Sequence, residues 1–464
     1  KTDTLLYAEE VFLAFNLWEV FTGNLSVDEI SIENGRLYLF TNLQGLSNYD
    51  IVKPQEEGTE SSPFELKAIS LVNLKTTYRN QVQKITLAGW VQQIKAQGSF
   101  SGESQNISAQ NEIILERYWQ NNTDYLAVPV ALAGNLSLAN NPQILRLKAD
   151  EIRLNKNLNF GVNYWLKADE SQLELNATAL GLQDLLPLLQ NQAYLNLPEL
   201  EAQGNVAATL NYSSQGPNDK LSLNFATQNS TATWNQGPPF ENISLKGNYR
   251  LEQQKDVLTL ENFSSSAGND YIRGSATLSD LNHPKVIAQL SANLPLAQWL
   301  SFVPLDTLQN AQGNLAANVQ LEGQFKSLTN VTKGELYRSQ LSGDLAITDG
   351  SFDFKNSPKS VEKLNGQLSL KGKELQVKNL YLSSGSTDLY LQGSLHNVLN
   401  YLFFPFEKLG ADLLVKSQEI VLDDFLQNEA SANPEAYSLE FSENLKVRLQ
   451  LEIDKFRFAE FKAR

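Results

Sequence analysis

The stretch Leu445-Lys-Val-Arg-Leu-Gln-Leu-Glu-Ile453 alternates apolar and polar side chains without interruption. In an extended strand, successive side chains point to opposite faces, so every second residue lies on the same face. The apolar face of this stretch would carry Leu445, Val447, Leu449, Leu451 and Ile453. Strict alternation of this kind predicts a β-strand with one wet face rather than a helix.

The same alternation recurs along the chain, for example at Leu37–Leu39, Leu221–Phe225 and Glu374–Lys378. Its phase shifts at Asp454-Lys455, which indicates a bulge or a tight bend. Helical patterns are few and short: Leu182–Leu189, Leu296–Phe302, His396–Phe403 and Leu422–Leu426. The sequence therefore predicts a mainly β protein, an elongated and twisted antiparallel repeat sheet that forms an open apolar groove, with a few short helices.

Composition excludes several classes of function. The chain has 464 residues, of which 42% are apolar, with 37 basic against 52 acidic residues and a net charge of -15. A nucleic-acid binder needs a basic face, so this balance predicts no nucleic-acid partner. Cysteine is absent and only two histidines occur, His283 and His396, so the sequence offers no thiolate nucleophile and no multi-histidine metal site.

A Gly-polar-apolar step recurs and suggests a repeated unit, with the glycine in a turn and a strand starting after it. It occurs at Gly134, Gly204, Gly247, Gly313, Gly343 and Gly366. Three glycine pairs share one spacing: Gly134 with Gly161, Gly247 with Gly274, and Gly366 with Gly393. We expect about three related β units, at approximately residues 126-203, 204-315 and 316-464, behind an N-terminal region of residues 1-125. The polar stretch Lys53–Pro63 is the expected linker.

No catalytic constellation is visible in the sequence. Gly98-Ser-Phe-Ser-Gly102 has Phe100 where a nucleophile elbow needs serine, and Gly366–Glu374 lacks the spacing of a phosphate-binding loop. Asp423-Asp424 fits charges at the start of a helix better than a catalytic pair. The sequence predicts no enzyme activity, no cofactor and no metal.

An apolar face on a repeated sheet must be buried against something. It either packs internally, as in a sandwich or solenoid, or lines an open trough that suits acyl chains. The candidate lining residues of such a trough are Leu258, Leu260, Leu375, Val377, Leu445, Val447, Leu449, Leu451 and Ile453. Sequence alone cannot assign each of them to a trough or to internal packing.

The first 80 residues resemble the AsmA family of envelope proteins of two-membrane bacteria. The resemblance is carried by Asp3–Val11, Leu17–Gly23, Val27–Leu37, Gly45–Ile51 and the strand-like pair Phe64–Asn73 with Tyr78. The later Gly-Asn-Leu strands and Leu-x-x-[Leu/Trp/Phe]-Leu helices resemble the repetitive body of that family and of TamB-type proteins.

This resemblance implies a chorein-like N-terminal part and a long β groove. It further implies a periplasmic location, anchored in the inner membrane by an upstream helix of about 20 residues. The implied activity is non-enzymatic: phospholipid acyl chains are bound or moved between the inner and outer membranes, in support of outer-membrane assembly. Phospholipid acyl chains, the inner membrane and outer-membrane assembly components are the implied partners.

Two alternatives stay open. The chain could be an envelope β-repeat scaffold or adhesin-like module that binds a protein or a glycan and has no lipid conduit. Frequent Asn-x-Ser/Thr triplets, such as those at Asn106 and Asn176, would suit a secreted glycoprotein. The absence of cysteine speaks against that second reading.

No segment reaches the ~18 apolar residues of a membrane span; Val11–Phe21 and Tyr401–Phe406 come nearest.

Overall fold

A computed structural model describes residues 4–21, 26–49, 65–100, 104–126, 128–155, 157–190, 200–215, 218–234, 239–302, 308–327, 331–355, 360–404, 406–421, 444–458 and 461–463. The chain divides into two compact units. Unit 1 comprises residues 1–235 and 249–254, and unit 2 comprises residues 236–248 and 255–464. The boundary expected at residue 125 lies inside unit 1, and the three expected repeats stay a prediction.

Unit 1 is built almost entirely from β-strands. Its elements are β1 Leu6–Phe15, α1 Leu17–Phe21, β2 Ser26–Thr41, β3 Glu65–Leu66, β4 Ala68–Asn80, β5 Ile85–Ser99, β6 Gln105–Gln120, β7 Thr123–Asp124, β8 Val130–Asn141, β9 Ile144–Leu154, β10 Leu158–Lys167, β11 Glu170–Gly181, α2 Leu182–Gln190, β12 Leu200–Gln215 and β13 Asn218–Trp234. The next strand, β14 Phe240–Glu252, has residues in both units.

Unit 2 repeats this composition of long strands and short helices. Its elements are β15 Lys255–Ala267, β16 Asp270–Ser279, β17 Lys285–Pro295, α3 Leu296–Phe302, β18 Leu308–Gln324, α4 Lys333–Arg338, β19 Gln340–Phe354, β20 Ser360–Lys371, β21 Glu374–Ser384, β22 Thr387–His396, α5 Val398–Phe403, β23 Leu409–Ser417, β24 Ile420–Val421, β25 Leu445–Ile453, β26 Phe456–Phe458 and β27 Phe461–Ala463. The predicted mainly β class is confirmed.

Successive strands pair antiparallel through most of each unit, as short hairpin connections require. Exceptions lie near the two ends of the chain, where β2 pairs in parallel with β4 and β23 pairs in parallel with β25. These parallel pairs were not predicted, because a parallel partner is separated from its neighbour by a long connection that leaves no local signal.

The predicted helices Leu182–Leu189 and Leu296–Phe302 are confirmed as α2 and α3. The third begins at Val398 rather than His396, because His396 still pairs with Glu374 in the ladder of β21 and β22. Leu422–Leu426, Asp423-Asp424 and the linker Lys53–Pro63 lie outside the described residues. The strand Leu445–Ile453 is β25, and the shift at Asp454-Lys455 falls where β25 ends and β26 begins.

The Gly-polar-apolar steps lie inside strands. The prediction that each glycine lies in a turn just before a strand is therefore wrong. Gly134 is within β8 and Gly366 is within β20. A Cβ on either glycine would lie 2.5 Å from a carbonyl oxygen of the neighbouring strand, of Glu151 and Asn379 respectively. The strand pairing shifts register one or two residues later in both cases, so these glycines mark β-bulges rather than turns.

Candidate functional site

Directly paired residues of neighbouring strands place their side chains on the same face of a sheet. In unit 2, one row of such pairs runs without a break across seven strands. It passes through Ala317, Leu345, Leu368, Val377, Gly393, Leu413 and Leu449. We call the face that carries this row the apolar face of unit 2.

The adjacent rows of the apolar face of unit 2 have the same character. Leu370, Leu375, Leu395, Ala411 and Val447 form one row, and Leu380, Leu391, Val415 and Leu451 form another. Leu258 and Leu260 of β15 pair with Leu278 and Ala276 of β16. The pairing continues through β17 to Gly323 and Leu321 of β18, which lie on the same face as Ala317. The register therefore brings all nine predicted lining residues onto one face.

These nine residues differ strongly in exposure. Leu375 and Val377 are buried, in a cluster with Leu368 and Leu370 of β20. Leu258, Leu260 and Ile453 are half-buried. The exposed ones follow one another along β25, and their exposed fractions are 36% for Leu445, 47% for Val447, 49% for Leu449 and 54% for Leu451.

The exposed row on β25 is about 20 Å long, because it contains three two-residue steps of about 6.7 Å each. On the opposite face of β25, Glu452 forms an ion pair with Lys416 at 2.7 Å and Arg448 lies 3.4 Å from Asp412. Charges and apolar side chains are thus separated by face. In the part of the chain that the structure describes, β25 has one ladder partner, β23.

Unit 1 has an apolar face of the same kind. One of its rows passes through Leu74, Val91, Ile113, Leu132 and Leu154. Its first strand, β1, continues this face with Val11, Leu13 and Phe15, which pair with Ile32, Ile30 and Val27. Those three side chains are 53%, 52% and 45% exposed.

Sequence reasoning missed the exposed residues of β1 as candidate lining residues. The segment Val11-Phe-Leu-Ala-Phe15 is continuously apolar and does not alternate, so its own pattern does not indicate a strand with one apolar face. The signal that could have found it is the adjoining alternation of Ile30 and Ile32, which provides a partner strand with the same apolar face.

His396 has partners that the sequence did not reveal. Its Nε2 lies 3.2 Å from Asp412 Oδ2 and 3.3 Å from Ser394 Oγ. A catalytic triad needs the hydroxyl and the carboxylate on different ring nitrogens, whereas both contacts here fall on Nε2. Ser394, His396 and Asp412 therefore form a surface hydrogen-bond cluster and lack the geometry of that nucleophilic mechanism.

The described residues contain no group of three or more His, Cys, Asp or Glu placed to hold a metal ion. Over the same residues, every helix is too short or too polar to cross a bilayer. The chain matches no protein-family model, no curated protein and no solved structure.

Proposed function

We propose that this chain is a non-enzymatic periplasmic protein of the AsmA type, which binds or conducts phospholipid acyl chains along the apolar faces of its sheets. In this proposal the apolar face of each unit lines an open groove, and the protein supports outer-membrane assembly from an anchor in the inner membrane. The observation that carries the proposal is the exposed row of Leu445, Val447, Leu449 and Leu451 on β25.

An apolar row exposed to water is unfavourable in free energy, and covering it with apolar groups removes that cost. Full burial of one aliphatic side chain contributes about 1.5–3 kcal/mol, and each buried CH₂ group of a ligand contributes about 0.8 kcal/mol. A partner with a flexible hydrocarbon chain can follow a row about 20 Å long and needs no matching hydrogen bonds. An acyl chain has this chemistry, which is why the face supports lipid rather than a polar ligand.

The test compares two variants of β25 that each introduce one aspartate, on opposite faces of the strand. Leu449→Asp places a charge in the exposed apolar row, and Gln450→Asp places the same charge on the opposite, polar face. We expect phospholipid to co-purify with the wild-type protein and with Gln450→Asp. The lipid content of Leu449→Asp should fall severalfold, as measured by native mass spectrometry and by solvent extraction.

Wild-type protein that is reproducibly lipid-free after gentle purification would refute the acyl-chain proposal. Equal lipid content in the two variants would refute the assignment of the β25 row, since both add one charge to one strand. Circular dichroism spectra should show that both variants keep the β-sheet signal of the wild type.

The alternative is an envelope scaffold or adhesin-like module whose apolar faces are filled by its own side chains. The burial of Leu375 and Val377, at 8% and 3% exposure, supports it for the centre of unit 2. It leaves the exposure of the β25 row unexplained, so we rank it second.

A further inference from the structure

The polar face of unit 2 carries a shallow concavity of about 850 Å³. This site lies on the face opposite the row on β25, so the inference drawn from it goes beyond the proposed lipid function. Its polar-face lining consists of two tyrosines, four amide side chains and one lysine beside small and aliphatic residues: Tyr381, Tyr390, Asn365, Gln367, Asn379, Gln392 and Lys416.

The two tyrosines form the centre of the concavity. Tyr381 of β21 is paired directly with Tyr390 of β22, and their ring centroids are 4.7 Å apart with an interplanar angle of 47°. Tyr390 is 48% exposed, so the pair presents ring surface to solvent. Tyrosine has an apolar ring and a polar hydroxyl, which suits a ligand that has both kinds of surface.

Amide side chains form a ladder beside the tyrosine pair. Gln367 of β20 pairs with Asn379 of β21, and both are exposed together with Gln392 of β22. The Oδ1 atom of Asn379 accepts a hydrogen bond from the backbone N–H of Gln367 at 2.9 Å, which fixes the orientation of the amide. An amide held in this way keeps its NH₂ donors available for a ligand.

Backbone irregularities shape this part of the sheet. The register shifts between β19 and β20 at Ile347/Gly350, between β20 and β21 at Gln367/Leu368, and between β21 and β22 at Val377/Leu380. Bulges bend a strand and re-aim its side chains, and they are over-represented beside functional sites. Three bulged ladders meet around the tyrosine pair.

Charge narrows the class of ligand. Among the residues that line the concavity, Lys416 is the one charged side chain, and its Nζ is neutralised by Glu452 Oε2 at 2.7 Å. The surface therefore offers ring faces and hydrogen-bonding amides with little net charge. Pyranose sugars have apolar C–H faces and a rim of hydroxyl groups, which match stacking rings and amides respectively.

We propose that this concavity, which we call the tyrosine–amide site, binds a neutral oligosaccharide. The sugar rings stack on Tyr381 and Tyr390, and the hydroxyl or acetamido groups bond to Asn379, Gln367 and Gln392. The lining residues lie on five neighbouring strands, from Thr348 on β19 to Lys416 on β23. At about 4.8 Å per strand spacing these strands span roughly 19 Å, which accommodates several sugar units rather than one.

The test is isothermal titration of the whole chain with chitotetraose, cellotetraose and maltotetraose as neutral probes, and with tetragalacturonate as an anionic probe. We expect at least one neutral tetrasaccharide to bind with a dissociation constant in the millimolar range or below. Tyr390→Ala should weaken that binding by about tenfold or more, and Tyr390→Trp should retain it because an indole ring also stacks.

Tyr7 provides the matched control, since it is a 64% exposed tyrosine on β1 of unit 1, paired with Arg36, and Tyr7→Ala removes the same side chain. Tyr7→Ala and Leu449→Asp should both leave sugar binding unchanged, so failure of the lipid proposal and failure of this one can be told apart. Absence of binding by every neutral probe, binding by tetragalacturonate alone, or equal binding by the Tyr390→Ala and wild-type proteins would each overturn the proposal.

Discussion

At the residue scale, the clearest electrostatic feature is the carboxylate of Glu335, which is 3% exposed at the start of α4. Its Oε2 accepts hydrogen bonds from the Thr332 hydroxyl at 2.5 Å and from the Thr332 backbone N–H at 2.8 Å, and its Oε1 accepts from the Lys326 backbone N–H at 2.6 Å. Thr332 and Glu335 form a capping box that begins the helix. The hydrogen bonds from Thr332, followed by that from Lys326, lower the pKa of Glu335 to about 2.

This lowered pKa predicts a defined acid sensitivity. The folded-state pKa of Glu335 lies below the unfolded value, so its stabilisation is complete above the unfolded pKa near 4.5 and is lost as the pH falls towards 2. Glu335→Gln should lower the free energy of unfolding at pH 7. It should also flatten the dependence of that free energy on pH between about 4.5 and 2.

Urea unfolding followed by circular dichroism across this pH range measures the effect. Glu362→Gln is the matched control, because Glu362 is an exposed strand residue. A pH dependence in Glu335→Gln as steep as that of the wild type would contradict the role of the capping box.

At the scale of elements, glycines let neighbouring strands approach where the ladder is bulged. Gly366 lies in β20 beside β21, and a Cβ there would meet Asn379 O at 2.5 Å and Leu380 Cδ1 at 2.6 Å. The same part of the sheet carries the tyrosine–amide site on one face and the buried cluster of Leu368 and Val377 on the other. One bulged segment therefore shapes both faces.

Gly366→Ala should destabilise unit 2 by about 1–3 kcal/mol, because backbone atoms must move to admit the methyl group. Gly334 of α4 provides the control, since a Cβ there would meet the end of the Arg338 side chain at 3.5 Å. Gly334→Ala should be neutral or slightly stabilising, as alanine favours helix over glycine by about 1 kcal/mol. Thermal unfolding of both variants measures the difference, and equal melting temperatures would refute the close-approach argument.

At the scale of the whole molecule, each unit separates apolar and polar side chains onto opposite faces of its strands. Charged side chains lie on the polar faces, and the whole chain has a net charge of -15. An acidic surface repels anionic headgroups, so lipid contact in our proposal relies on acyl chains and not on charge.

This charge distribution predicts the salt dependence of lipid uptake. Uptake of phosphatidylcholine should change less than about twofold between low salt and 0.5 M salt, because hydrophobic contact is not screened. Phosphatidylglycerol with identical acyl chains should be taken up no better than phosphatidylcholine at low salt, because the acidic surface repels its headgroup. Fluorescent analogues of the two lipids, transferred from vesicles to the protein, give the measurement. Preferential uptake of phosphatidylglycerol that disappears at high salt would show that headgroup charge directs binding.

Much of the fold could be predicted from local patterns. Alternation placed Leu445–Ile453 as a strand with the bounds that β25 has, and two of the predicted helices match α2 and α3. Period and propensity are properties of adjacent residues, so they need no tertiary information. The capping box at Thr332 and Glu335 is also local, and it was a missed signal for α4.

The sequence by itself determined the mainly β class, the apolar side of each strand and the charge of the chain, because these depend on neighbouring residues alone. Only the tertiary structure decided the register, which brought the nine predicted lining residues onto one face. Only the tertiary structure also decided that Val377 is buried while Leu449 is exposed on that face. Burial depends on which strands lie alongside, and strand partners such as Leu413 and Leu449 are set by long-range pairing that alternation does not encode.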